Sequence, residues 1–326
     1  MDQQLIAAIE AELDAGRRCM LATILEQDGS APRGAGTAMV VFAAGGQTGT
    51  VGGGSMEYRV RCDALELLGQ EACALRRYEI HADDKQAYSG GVTILFRWFA
   101  GEAGQALAAD MRRALDSGED AYLTCRMAEG GAPESAVRYA HGLCLDCGIA
   151  CPPSAAVLTG DGPRWFIEPL LRAPRVVILG GGHVAQCMAR QLGLLDYRVW
   201  VAEDRAEFAR PELFPAAERV LHCGYARAEA QLQLTRRDHA IVMSRGHETD
   251  YEILRWLLRS QADYIGCIGS RKKIALTKER LRADGLNEAE LSRLHAPIGL
   301  AIGAETPAEI AVSVAAELIR HCYGKE

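Results

Sequence analysis

The sequence predicts an α/β protein: a C-terminal Rossmann-like, doubly wound parallel sheet, preceded by a separate N-terminal α/β domain. Three observations predict it. The segment Arg175–Arg205 reads strand, glycine-rich turn, helix, strand and acid in that order. From there to the end, apolar strand-like segments alternate with helical patterns, as in parallel βαβ units. At 326 residues the chain is long enough for two domains of ordinary size, and the expected division is 1–170 and 171–326.

In the first half, Leu5–Ala15 carries apolar residues at helical spacing, with Gly16 as a stop. Cys19–Leu25 reads as a strand and Gly29–Gly36, GSAPRGAG, as a tight loop. Ala38–Ala43 is a second buried strand, followed by a hairpin turn at Gly45-Gly46. Thr48–Gly54, TGTVGGG, leads into a helix over Ser55–Leu68 with Val60, Ala64, Leu67 and Leu68 apolar. Val92–Phe99 is a further strand and Ala106–Leu115 a short helix. Between about 120 and 170, short strands are separated by glycine and proline turns, and Glu168–Pro174 is the expected linker.

The second half opens with the buried strand Val176–Leu179, which runs into Gly180-x-Gly182-x-x-Ala185. Gly180 permits the tight turn, Gly182 lets the backbone approach a pyrophosphate, and Ala185 allows close helix–strand packing. The diphosphate is expected on the free amides at the helix N-terminus, where the dipole favours negative charge. An acid about 20 residues further on holds the ribose hydroxyls in such folds, and Glu203 and Asp204 lie near that spacing. A Rossmann-like half with nothing bound carries the same signature.

Ala240–Ser244 and Tyr264–Ile268 are buried-strand candidates. The polar run Ser244–Asp250, SRGHETD, is read as a loop bringing Arg245 and His247 to the carboxyl ends of strands, where ligands sit. A structural histidine suits that loop equally. Arg271 and Lys272 fall at a helix start and oppose its dipole, a placement that an anion would offset. Lys272–Ala283 is a helix closed by Gly285. The last helix starts with Thr306 as N-cap, Pro307 at the first position and Glu309 completing a capping box.

Two further groups point to chemistry. Gly52-Gly53-Gly54 before a helix makes an anion-binding concavity of amides, with Ser55 and Glu57 on the first turn and Arg33 as a clamp for a phosphate. A tight turn with an ordinary N-cap gives the same pattern. His141, Cys144, Cys147 and Cys151 have spacing suited to zinc or an iron–sulfur centre; the strand-like alternation around them is equally compatible with thiols on different faces.

Bulk properties narrow the function. The net charge of −7, with no long basic run, argues against nucleic acid and anionic membrane as main partners. No apolar run approaches bilayer length. The start, MDQQLIAAIEAELDAG, mixes acids into its apolar pattern and is not read as a signal peptide. A cytoplasmic, reducing compartment is expected, with most of the eleven cysteines as free thiols.

Taken together, the motifs resemble the XdhC/CoxI family, the maturation factors of molybdenum hydroxylases such as xanthine dehydrogenase. The matching segments are Gly29–Arg33, Gly49–Glu57, Val177–Ala185, Glu203–Arg205, Ser244–Glu248, Tyr264–Arg271 and His295–Pro307, in the family's order. The resemblance implies a chaperone that holds molybdenum cofactor, shields it and inserts it into an apo-hydroxylase, in some members beside a cysteine desulfurase. It implies that Arg33 and Gly52–Glu57 face the pterin phosphate or molybdenum, and that Gly180, Gly182, His183, Ala185 and Glu203 face a nucleotide. The sequence departs from the family where cysteines are common, at Ser55 and Ser89, which excludes thiolate contact to molybdenum from those positions. It departs again at Ala301, where an acid is common.

The leading expectation is a carrier of molybdopterin or its dinucleotide, with one glycine loop per half receiving a phosphate-bearing end of the ligand. The alternative is an NAD(P)-dependent oxidoreductase using the Rossmann half, with Glu203 on the ribose and Arg245 and His247 as the only close pair of candidate catalytic residues. A third class is a redox or metal-sensing module built on Cys144, Cys147 and Cys151. A homodimer is the default assembly.

Overall fold

The computed structural model describes all residues except 2, 30–33, 81–89, 118, 128–132, 142–143, 146–147, 153–154, 159–163, 171–172 and 324–326. The chain divides into two units, Met1–Arg172 and Ala173–Glu326.

The first unit begins with α1 (Gln3–Asp14), β1 (Cys19–Gly29), β2 (Ala38–Phe42), β3 (Gln47–Gly49), α2 (Gly54–Gln70), β4 (Ala74–Ile80), β5 (Gly90–Phe99) and α3 (Gly101–Ser117). Its strands form an antiparallel sheet in the order β3-β2-β1-β5-β4. Alternation along β1 sorts the core. Cys19 and Leu21 pack with Ile6 and Ile9 of α1 and Met111 of α3, whereas Met20, Ala22 and Ile24 pack with Val60, Ala64 and Leu67 of α2. The sheet is therefore covered on both faces, which is why its central strands read as continuous apolar runs rather than alternating ones.

A second antiparallel sheet follows, made of β6 (Ala121–Met127), β7 (Glu134–His141), β8 (Cys144–Leu145), β9 (Ala156–Leu158) and β10 (Arg164–Leu170), in the order β8-β7-β6-β10-β9. The expected linker at Glu168–Pro174 begins too early. Glu168, Pro169 and Leu170 are buried and pair with Leu123, Tyr122 and Ala121. An acid followed by proline looks like a strand end, but buried Arg97 lies 3.4 Å from the Glu168 carboxylate, and that partner is 71 residues away.

The second unit contains β11 (Arg175–Leu179), α4 (His183–Leu194), β12 (Arg198–Glu203), β13 (Ala217–His222), α5 (Tyr225–Leu232), β14 (Asp238–Val242), α6 (His247–Leu257), β15 (Tyr264–Cys267), α7 (Arg271–Ala283), α8 (Glu288–Ser292), β16 (Leu294–His295) and α9 (Pro307–Tyr323). The strands are parallel, in the order β13-β12-β11-β14-β15-β16. This is the doubly wound arrangement, with its reversal between β11 and β14. Val176 and Ile178 of β11 pack with Met188 of α4 and Val314 and Leu318 of α9. Val177 and Leu179 pack on the other face with Ala228, Ile253 and Leu281 of α5, α6 and α7.

The capping box of α9 forms as expected: Glu309 Oε2 accepts the Thr306 amide at 2.9 Å, and Thr306 Oγ1 accepts the Glu309 amide at 3.3 Å. The polar run Ser244–Asp250 is not all loop, because α6 starts at His247. Among the described residues, no helix is long and apolar enough to cross a membrane.

Candidate functional site

The carboxyl edge of the parallel sheet gathers the nucleotide-side residues. Gly180 directly follows β11 at φ 133°, and its amide donates to the Ala202 carbonyl at 2.9 Å. A Cβ at Gly180 would lie 2.3 Å from the Met243 carbonyl oxygen just past β14, so no other residue fits. Gly182 is the N-cap of α4, at φ −69°, and has no side chain to cap the helix. A Cβ on Gly182 would meet nothing within 4 Å, so the first turn of α4 faces open space there. His183 is exposed at the first position of α4, and Ala185 is buried in the core on its inner side. This open, uncapped turn at the sheet's switch point is what a phosphate group requires.

Glu203 does not have the role expected of it. It is fully buried at the end of β12, and its carboxylate accepts the Gly181 amide at 2.5 Å, the Arg205 amide at 3.0 Å, and Arg205 Nε and Nη2 at 2.8 and 3.0 Å. A carboxylate has about four acceptor positions, so none is left for a ribose hydroxyl. Burial alone raises the Glu203 carboxyl, but the hydrogen bonds from Arg205, Asp204 and Gly181 outweigh it and hold it at about 2. The sequence showed an acid at the right spacing; it did not show that Arg205, stacked on the Phe208 ring at 4.0 Å, would turn back onto that acid.

Asp204 is better placed. Its side chain is one-quarter exposed, and Arg245 Nη2 lies 3.5 Å from its Oδ2. Burial raises its carboxyl, and the Glu203 carboxylate beside it raises it further. Because β12 and β14 flank β11, the structure brings Asp204 and Arg245 to the two sides of the Gly180–Gly182 turn.

His247 is exposed at the start of α6. The residue of consequence there is Asp250, which sequence reasoning missed. It is fully buried, accepts the Ser244 amide at 3.2 Å and the Ser244 hydroxyl, and forms an ion pair with Lys273 of α7. In the sequence Asp250 looks like an ordinary first-turn acid serving the helix dipole. Asp250 thus serves Lys273 from within the protein, while Arg271 and Lys272, the pair for which the sequence predicts an anion, are exposed.

The N-terminal glycine loop also differs from its expectation. Gly52, Gly53 and Gly54 have φ values of 136°, 77° and 64°, a run of left-handed backbone that explains the three glycines. The concavity is already filled. Glu57 accepts the Val51 amide at 3.2 Å, the Gly53 amide at 3.1 Å, Gln47 Nε2 at 2.9 Å and the Thr50 hydroxyl. The Gly52 amide donates to Thr50 Oγ1 at 3.1 Å. Burial raises the Glu57 carboxyl, but these donors outweigh it and hold it below the usual range. Glu57 is therefore the loop's internal anion rather than a ligand contact, and a phosphate at Gly52 and Gly53 would have to displace it. Ser55 and Gly54 are exposed at the α2 start.

Arg33, Ser89 and Cys147 lie outside the described residues. Cys144 is exposed in β8 and Cys151 is half-buried. Among the described residues, the three metal-type ligands that come together are His239, Asp263 and His321, not the cysteines.

Comparison with known proteins agrees with this architecture. Residues 176–318 match the XdhC Rossmann domain, and residues 12–79 match the XdhC and CoxI family. The chain is 26% identical over 329 aligned positions to a Bacillus subtilis (strain 168) protein named as a probable xanthine dehydrogenase subunit, with 96% of each chain covered. It is 26% identical over 316 positions to the Escherichia coli (strain K12) molybdenum cofactor insertion chaperone PaoD, covering 95% of this chain and 85% of PaoD. A 36% identical match to Escherichia coli YqeB spans 161 residues, 49% of this chain and only 30% of YqeB. A Bacillus halodurans crystal structure described as a xanthine dehydrogenase superposes with a TM-score of 0.82 at 20% identity, covering 98% of this chain and 96% of that one, and so shares the fold. With both halves matched in order, the chain belongs to the XdhC and CoxI family.

Proposed function

We propose that this protein is a maturation factor that holds molybdenum cofactor as cargo and inserts it into an apo molybdenum hydroxylase of the xanthine or aldehyde dehydrogenase type. The observation that carries this reading is the likeness, along nearly the whole chain, to the protein named molybdenum cofactor insertion chaperone PaoD.

The chemistry of the C-terminal edge supports it. A pterin dinucleotide would set its pyrophosphate against the open first turn of α4, with Gly182 giving access and His183 beside it. Asp204 would receive the ribose hydroxyls in place of Glu203, and exposed Arg245 would offset the phosphate charge. In the N-terminal unit Glu57 already holds the Val51 and Gly53 amides, so no phosphate is placed there.

Purification without oxygen, followed by pterin fluorescence and molybdenum analysis of the denatured protein, tests the proposal. A stoichiometric pterin, transferable to an apo-hydroxylase and lost in Asp204→Ala with Arg245→Ala, is expected. No pterin in the protein, and none bound on titration, rejects it. The same edge has the features of an NAD(P) site, so tight NAD binding with turnover of aldehydes or ketones would instead favour the oxidoreductase reading.

A further inference from the structure

We propose that His239, Asp263 and His321 form a divalent transition-metal site at the amino end of the parallel sheet, the edge opposite the glycine turn. His239 is the second residue of β14, Asp263 directly precedes β15, and His321 lies in the last turn of α9. One ligand atom from each residue comes within 4.8 Å of the other two.

His239 carries the argument. Its side chain is 4% exposed, and its Nδ1 is buried with no hydrogen-bond partner, 3.8 Å from Asp263 Oδ2. That is too long for a hydrogen bond. It is close to the separation of about 3.4 Å between two ligands that each sit about 2.0–2.1 Å from one tetrahedral ion. The other ring nitrogen, Nε2, lies 3.5 Å from Cys322 Sγ. A proton on Nε2 directed at that sulfur leaves the Nδ1 lone pair facing a carboxylate, an arrangement that a cation between them would make favourable. Burial lowers the His239 pKa, which favours the neutral imidazole.

The other two ligands can adjust. His321 Nε2 and Asp263 Oδ2 are 2.7 Å apart as an ion pair, with side chains 27% and 49% exposed. Opening that contact by about 0.7 Å would admit the metal, with solvent completing its coordination. Two imidazoles and one carboxylate suit a borderline ion such as zinc. The ring of Tyr264 stands 6.0 Å from His239 and 5.1 Å from His321, and helps hold both orientations. Metal bound there would tie the end of α9 to the starts of β14 and β15. It owes nothing to the thiols of Cys144, Cys147 and Cys151, nor to the cargo edge.

The test uses the full-length protein, stripped with chelator and dialysed against zinc chloride, with bound zinc measured by mass spectrometry. Asp263→Asn and His321→Gln change partly exposed side chains, and far-UV circular dichroism checks that they fold. Each should weaken zinc uptake at this site by at least about tenfold, since loss even of a supporting partner costs about 10–100-fold. Substituting Cys144 and Cys151 by serine should leave this uptake unchanged. Zinc should raise the Tm of the wild type and not that of Asp263→Asn. Cobalt loading should give a visible spectrum without thiolate charge transfer. The proposal is overturned if the wild type takes up no zinc, if both variants take up as much as the wild type, or if uptake is lost only with the cysteines; the cluster is then a plain His321–Asp263 ion pair.

Discussion

Glu203 accepts the amide of Gly181 at 2.5 Å, so an acid 22 residues along the chain fixes the glycine turn of the Rossmann unit. Glu57 does the same for Gly53 at 3.1 Å in the N-terminal unit. Both glycine loops are held in shape by a carboxylate of their own.

Glu203→Gln should destabilise the second unit by about 1–3 kcal/mol, because Arg205 and the Gly181 amide lose a charged acceptor. Urea unfolding measures the difference. Its pH dependence has a definite sign. The folded Glu203 carboxyl is held at about 2, below its ordinary 4.5, so its contribution is complete above the ordinary value and is lost as pH falls from about 4.5 towards 2. The gap between wild type and Glu203→Gln should therefore close over that window; a gap independent of pH would contradict the assignment.

Gly180→Ala and Gly182→Ala should behave oppositely. The first places a Cβ 2.3 Å from the Met243 carbonyl oxygen at φ 133°, and a loss of about 2 kcal/mol or more, or insoluble protein, is expected. The second has a compatible φ and open space, so stability should stay within about 0.5 kcal/mol. A dinucleotide should nevertheless bind Gly182→Ala far more weakly, as read by calorimetry, because the added methyl enters the space meant for phosphate. Unchanged affinity would move the ligand away from α4.

Glu57→Ala removes the acceptor for two backbone amides and for the Thr50 and Gln47 side chains, and should cost about 1–2 kcal/mol. The dinucleotide affinity of the C-terminal edge should not change. Differential scanning calorimetry and a nucleotide titration on the same sample separate the two effects; a stability unchanged by the substitution would mean that Glu57 is not what shapes the loop.

Asp250→Ala leaves Lys273 without its buried partner, and a loss of about 3–5 kcal/mol is expected. Adding Lys273→Met should recover much of it, since the stranded charge is then gone. A double variant as unstable as the single one would show that the Ser244 contacts, not the ion pair, carry the effect.

Legibility followed the range of the interaction. The helix over Ser55–Leu68, the strand Cys19–Leu25 and the capping box at Thr306 were readable because spacing and neighbouring residue types decide them. The linker at Glu168 and the loop reading of His247–Asp250 failed because a buried acid and an exposed one look alike until the partners, Arg97 and Lys273, are known. The Glu203 role failed for a related reason: hydrogen-bond capacity is finite, and the sequence does not say who uses it.

By itself the sequence determined the family, the parallel sheet and the positions of both glycine turns, because periodicity and left-handed backbone are local properties written in residue type. Only the tertiary structure decided which amides remain open, which acid faces solvent and which histidines meet. These depend on side chains brought together across strand order, and a carboxylate that turns inward to serve its own backbone is no longer available to a ligand.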